Sequence, residues 1–203
     1  MSVSFIIIGI TVLVSFLSFQ NTEMFTKLKF NPYLIKHHKQ WYRFISHSIV
    51  HADWMHLIIN MYVLYSFGDI VEATFFNLFG FKGLMYFILL YVGGVLFSSI
   101  YDYGKQKDNP YFNAVGASGA VSAVVFASIL IYPAGSIFLF PIPFPIPSWA
   151  FGLLYIVYSA YMGKRGGDNV GHNAHLWGAI FGLIFTLITI PNIISNFIAQ
   201  LSN

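Results

Sequence analysis

From Ser2 to Phe19 the chain runs without a charge, its only polar groups the hydroxyls of serine and threonine, and comparable apolar runs recur along its whole length. A run of about 20 such residues is enough to cross the hydrocarbon of a bilayer as a helix. Backbone in hydrocarbon must satisfy its own hydrogen bonds, so a chain built from such runs is restricted to helices there. Composition agrees. Hydrophobic residues make up 57%, charged residues 8%, and the mean hydropathy is +0.70, against about 25% charged in ordinary soluble domains. The fold class expected is an all-α, multi-pass membrane protein. With 203 residues and about 20 per crossing, six helices and their loops fill residues 1–203 as a single domain.

What is missing also constrains function. There is no cysteine, which removes disulfides, thiolate metal sites and cysteine nucleophiles together. The formal net charge of +3 comes without any run of Lys or Arg, so nucleic acid is not an expected partner. The lipid bilayer and membrane-embedded peptides are.

Taken in order, Ser2–Phe19 is expected to form the first crossing. It lacks the basic n-region and small-x-small site of a cleaved signal peptide. Gln20 to Asp53 mixes Lys27, Lys29, Lys36, Lys39 and Arg43 with Phe25, Phe30, Tyr33, Trp41, Tyr42 and Phe44, which predicts a structured loop at the interface, where Trp and Tyr are favoured. His37 and His38 fall in this loop as interfacial residues. The second helix is placed at Trp54–Thr74, with Asp69 and Glu72 near headgroups at its far end, and the third at Gly83–Tyr101. A loop to Phe112 precedes the fourth, Val115–Tyr132. Alternate prolines from Pro141 to Pro147 exclude helix and predict an extended turn before a short fifth helix, Trp149–Met162. Lys164–Asp168 is read as a polar loop, His172–Ile190 as the sixth helix, and the residues after Pro191 as a short interfacial piece.

Polar and ionisable groups within such helices are functional candidates by default, and four stand out: His56, Asn60, Ser118 and His175. His56 and Asn60 are four apart and share a helical face, whereas His51 is expected to point elsewhere. Ser118 sits among small residues in Gly116-Ala117-Ser118-Gly119, and His175 near the start of the sixth helix. If six helices alternate in direction, the second, fourth and sixth begin on one side, so the four groups can meet at one depth. Gly116, Gly119, Ala120, Ala123 and Ala127 on the fourth helix and Ala174, Gly178 and Gly182 on the sixth provide surfaces for close helix packing, which would bring a serine within reach of an imidazole. A metal pair of His172 and His175 is disfavoured, since no carboxylate is evident beside them. A His-Glu-x-x-His zinc motif is absent. Tyr101-Asp102 lacks the Gly-x-Gly-Asp partner of an aspartyl enzyme.

Three stretches, His51-Ala-Asp-Trp-Met-His56-Leu-Ile-Ile-Asn60, Gly116-Ala-Ser118-Gly119 and Ala174-His175-Leu-Trp-Gly178-Ala-Ile-Phe-Gly182, resemble in order and spacing the rhomboid intramembrane serine proteases. Trp41-Tyr42-Arg43 is similar to the start of that family's first loop. The resemblance covers about residues 3–190. It implies a six-helix rhomboid-like bundle and a Ser118–His175 dyad without a third acid. It also implies an oxyanion hole of the Ser118 N–H with the His56 and Asn60 side chains, Gly116 leaving the nucleophile unobstructed, and no cofactor or metal. The implied activity is cleavage of peptide bonds in or near transmembrane segments of other proteins, in a bacterial inner membrane, with substrate entry beside the fifth helix. One departure stands out: some members carry a tyrosine one turn after the serine, packed on the catalytic imidazole, where this chain has Ser122. Trp177, on a different face from His175, does not replace it. Positive charge is concentrated on the expected active-site side, which by itself favours a cytoplasmic site. The family pattern places that side outside, and we follow it; reporter fusions at the two termini decide between them. The alternatives from other classes are a catalytically inactive, client-binding relative and a small transporter using His56, Asn60 and His175 as a polar path.

Overall fold

The computed structural model describes residues 2–138, 143–168 and 170–202. An N-terminal helix, α1 (Val3–Gln20), leads into three short helices, α2 (Thr22–Leu28), α3 (Pro32–His38) and α4 (Arg43–Ser46), and a 3₁₀ turn at His47–Ile49. The longer helices follow: α5 (Trp54–Phe79), α6 (Phe81–Gln106), α7 (Ser118–Ile131), α8 (Ser148–Arg165) and α9 (His172–Thr189). A bend of 108° separates α9 from α10 (Ile193–Leu201). Two residues each of β1 (Ser136–Ile137) and β2 (Ile146–Pro147) pair antiparallel between α7 and α8.

The axis of the bundle is α7. Twelve of its 14 residues are buried, and α9, α6 and α5 surround it, with α8 and α10 making smaller contacts. A helix apolar on all sides is stable only when enclosed, and the small residues of α7 let its neighbours approach to backbone contact. A methyl added at Gly178 would run into the Gly119 carbonyl, and one at Gly182 into the Ala123 backbone. Across α6, a methyl on Gly94 would come within 2.9 Å of the Ala123 Cβ.

The outer helices invert the pattern of a soluble protein. On α1 the buried residues are Ser4, Thr11, Ser15 and Ser18, whereas Phe5, Ile10, Leu13 and Leu17 face outward. Polar groups turned inward and bulky apolar ones turned outward are the arrangement a lipid solvent selects. By length and apolarity α1 and α6 each suffice to cross a bilayer, and α9 with α10 would do so together if unbent.

Several expectations are corrected. Glu72 does not end its helix, which runs on to Phe79, and it turns inward: it is 6% exposed, and its carboxylate accepts from the Val3 N–H (2.6 Å), the Ser4 N–H (2.9 Å) and the Ser2 and Ser4 hydroxyls. It caps α1 from 69 residues away, supplying acceptors that first-turn amides lack within their own helix and complementing the helix dipole. Glu72→Ala is expected to remove about 2–4 kcal/mol of stability, read as earlier thermal unfolding in detergent. Unchanged unfolding would mean that water replaces the carboxylate at no cost.

Helix ends also differ. α5 and α6 each run for 26 residues, to Phe79 and Gln106, because no proline interrupts either. α7 begins three residues later than expected, after Gly116 turns the chain with φ +108°. α8 is not short. It runs 18 residues and takes Lys164 and Arg165 into its last turn, longer than the expected Trp149–Met162. Of the alternating prolines, Pro141 lies outside the described residues together with Ile142, and Pro147 closes β2.

Residues 20–53 form a scaffold beneath the Gly116 turn. Phe30 and Ala114 exchange backbone hydrogen bonds of 2.9 and 3.1 Å, and the Asn31 amide donates to the Pro110 carbonyl and the Asn113 side chain. Arg43, 3% exposed, donates to the carbonyls of Thr26 and Lys29 and to Gln40. The His47 carbonyl accepts from the Gly116 N–H at 2.9 Å. His37 and His38 stay exposed, His37 pairing with Asp108 at 3.1 Å.

Candidate active site

The first turns of α5, α7 and α9 meet at one end of the bundle. On α5, Asp53 caps the helix by accepting from the His56 N–H at 2.8 Å. The His56 ring then lies over Gly116: a Cβ there would be 2.5 Å from the ring's Cε1. Glycine at 116 therefore serves two ends, allowing a positive φ and leaving room for the imidazole one residue pair before Ser118. On α9, Gly178 sits on the Gly119 carbonyl, and a Cβ on Gly119 would be 3.4 Å from the Ala174 carbonyl. The neighbours of Ser118 thus touch the neighbours of His175.

Ser118 opens α7 and is half-buried. Its backbone N–H belongs to the first turn, whose amides have no acceptor within the helix. His56 and His175 are half-buried as well, and Asn60 is buried. One N–H of the Asn60 amide donates back to the His56 carbonyl at 2.9 Å, which fixes the side chain one turn deeper than His56. Among the described residues no hydrogen bond joins Ser118 to His175. The chain's fold brings their helices together without closing that bond, a common state of sites that tighten only around substrate.

Two histidines differ from expectation. His51 does not point away: it is fully buried and packs edge-on against His56 with ring centroids 4.9 Å apart. Its Nδ1 is 3.0 Å from the Ser15 hydroxyl and its Nε2 accepts from the Ala117 N–H at 3.4 Å. His172 does have a carboxylate beside it, with Asp168 at 3.0 Å from its Nε2. That contact holds the Asp168 carboxyl below its ordinary range. No group of three or more metal-binding side chains occurs among the described residues.

Burial depresses His47 to about 4 and His51 to about 3, the charge of His56 adding to the latter. Both lie in the segment between α4 and α5, outside the long helices. Below pH 6.5 the unfolded chain takes up protons on these rings that the native fold excludes. Stability is therefore full above pH 6.5 and is lost as pH falls toward 4, at up to about 1.4 kcal/mol per pH unit for each ring. Thermal unfolding measured from pH 7 to pH 4 is expected to show this slope, and His47→Gln to reduce it. A profile independent of pH in that window would rule out neutral, buried rings.

A surface cavity of about 580 Å³ lies at the other end of α7, lined by Tyr132, Ile190 and Gln200 among others. It contains neither histidine nor carboxylate.

Residues 38–192 match the Rhomboid domain family. The chain belongs to the rhomboid family. It is similar to the rhomboid protease GlpG of Haemophilus influenzae, 30% identical over 149 residues that cover 72% of this chain and 69% of GlpG. It is also similar to the rhomboid protease AarA of Providencia stuartii, 26% identical over 179 residues, 80% of this chain and 61% of AarA. A third relative is the mitochondrial RHOMBOID-like protein 12 of Arabidopsis thaliana, 26% identical over 155 residues. The match covers 69% of this chain but only 44% of that protein's length. Family membership makes this rhomboid an integral membrane protein, in keeping with its inverted helices.

One residue of the site has no counterpart in the sequence reading. Tyr155, on α8, lays its ring on His175 with centroids 6.1 Å apart and planes at 27°. Trp177, by contrast, stacks on Tyr101 of α6 and leaves the imidazole alone. Nothing in local spacing singles out Tyr155 from Tyr158 and Tyr161 on the same helix; only the packing of α8 against α9 does.

Proposed function

We propose that this rhomboid is an intramembrane serine endopeptidase acting through Ser118 and His175 on transmembrane segments of other proteins. In this reading α1 and α5 to α9 form six crossings, residues 1–203 act as one unit, and the host is a bacterial inner membrane. The observation that carries it is the meeting of three helix starts, with His56 over Gly116 and Gly178 against Gly119. Rhomboid proteases among the relatives support it.

The chemistry follows from the groups present. His175 removes the Ser118 proton as the hydroxyl oxygen attacks the scissile carbonyl carbon. The tetrahedral oxyanion is held by the Ser118 N–H, the His56 ring and the remaining Asn60 N–H. On collapse the C–N bond breaks and His175 returns the proton to the departing amine. Water, deprotonated by the same imidazole, then releases the acyl group and regenerates Ser118. Preorganised donors of this kind are worth about 10²–10³ in rate each. The length of α7 fits an intramembrane site: its 14 residues make about 21 Å of helix, against about 30 Å of hydrocarbon.

A fluorophosphonate probe is expected to label the purified protein in detergent, with labelling lost in Ser118→Ala. Folded protein that takes no label, or label retained in Ser118→Ala, would favour a client-binding relative without catalysis.

A further inference from the structure

Among the described residues His175 forms no side-chain hydrogen bond. Its ring has two aromatic neighbours, His172 edge-on at 6.1 Å and Tyr155 near parallel. An imidazole that must both take and return a proton needs its ring plane held, because a misplacement of about 1 Å can lower rate by about 10²-fold. Among these neighbours only Tyr155 lies against the ring face.

Tyr155 is itself held at its far end. Its hydroxyl is 2.7 Å from the Ser122 hydroxyl, and Ser122 is 3% exposed and lies one turn after Ser118, on the same face of α7. Phe126 and Phe151 flank the Tyr155 ring at 5.5 and 5.7 Å. The small Ser122 side chain leaves the space that the tyrosine ring, arriving from another helix, fills. The tyrosine therefore links three helices: carried by α8, anchored on α7, and applied to the imidazole of α9.

We propose that Tyr155 is the positioning residue for His175 and that Ser122 holds it in place. The proposal rests on the Ser118–His175 reading above. It has a structural consequence. α8 is the least embedded of the helices near the site, with only Ser148, Gly152 and Ser159 buried and Leu153, Leu154 and Val157 each more than half exposed. The orientation of the catalytic ring therefore depends on whether the most peripheral helix is seated.

The test compares Tyr155→Phe, Tyr155→Leu, Ser122→Ala and the Tyr155→Phe/Ser122→Ala double variant by fluorophosphonate labelling rate and by kcat and KM on a single-span substrate, each normalised to folded protein by thermal unfolding. Tyr155→Leu is expected to slow labelling and kcat by about 10²-fold with KM little changed. Tyr155→Phe and Ser122→Ala, near-isosteric and retaining the ring, are each expected to lose about 3–10-fold, and the double variant no more than either single. The small probe reads the dyad without substrate docking, so a role confined to stability would leave its rate per folded molecule unmoved. Wild-type labelling rates in Tyr155→Leu, with labelling still abolished in Ser118→Ala, would overturn this proposal and leave the dyad intact. Additive losses in the double variant would overturn the part given to Ser122. Labelling that survives Ser118→Ala would instead remove the dyad on which the proposal stands.

Discussion

Replacing His175 with alanine is expected to slow cleavage of a membrane substrate by about 10⁴- to 10⁶-fold, and adding Ser118→Ala is expected to cost little more. A serine hydroxyl is a weak nucleophile unless a base takes its proton, and the proposed dyad gives that role to His175. The His56 ring lies over Gly116, and His51 is committed to Ser15 and the Ala117 N–H. His172 is engaged by Asp168. In the proposed dyad the two residues would act as a unit, and their losses would then be strongly non-additive. Kinetics on the single and double variants in one detergent, with unfolding temperatures measured alongside, check this. A double variant slower than either single by the product of their effects would mean that the groups act independently and are not a dyad.

Gly178→Ala is expected to have the second largest effect, and to act on stability and activity together. A methyl there would strike the Gly119 carbonyl, which is backbone and has no rotamer by which to move aside. Relief requires α7 and α9 to separate. Overpacking of this kind costs about 1–3 kcal/mol, and the same displacement moves Ser118 away from His175, with an expected rate loss of about 10²-fold. Gly171→Ala is the control, because a methyl at Gly171 would meet only the Ala174 Cβ at 3.7 Å, an ordinary contact. Thermal unfolding and labelling rates of the two variants separate the cases. Equal behaviour would show that helix contact at Gly178 does not set the distance between the two side chains.

Much of this was legible without coordinates, and the reason is that the relevant signals are local. Apolar runs of helical length need no tertiary context to exclude strands in a membrane. The small residues at 116, 119, 178 and 182 announced close helix contact, and the three spaced motifs led to the family that residues 38–192 match. Helix ends were less legible. The extra turn of α8 could not be foreseen, because Lys164 and Arg165 read as loop residues although cations are favourable at a helix C-terminus.

The sequence by itself determined the solvent, the helical class, the family and the chemical types available for a site. Tertiary structure decided which of those groups meet. Glu72 reached the amides of α1 across about 70 residues of chain, His51 turned in to join His56, and Tyr155 arrived on His175 from a different helix. Such contacts depend on how helices lie against one another, and helix periodicity repeats every 3.6 residues without specifying a partner. A motif can name an imidazole; only the packed bundle holds its plane.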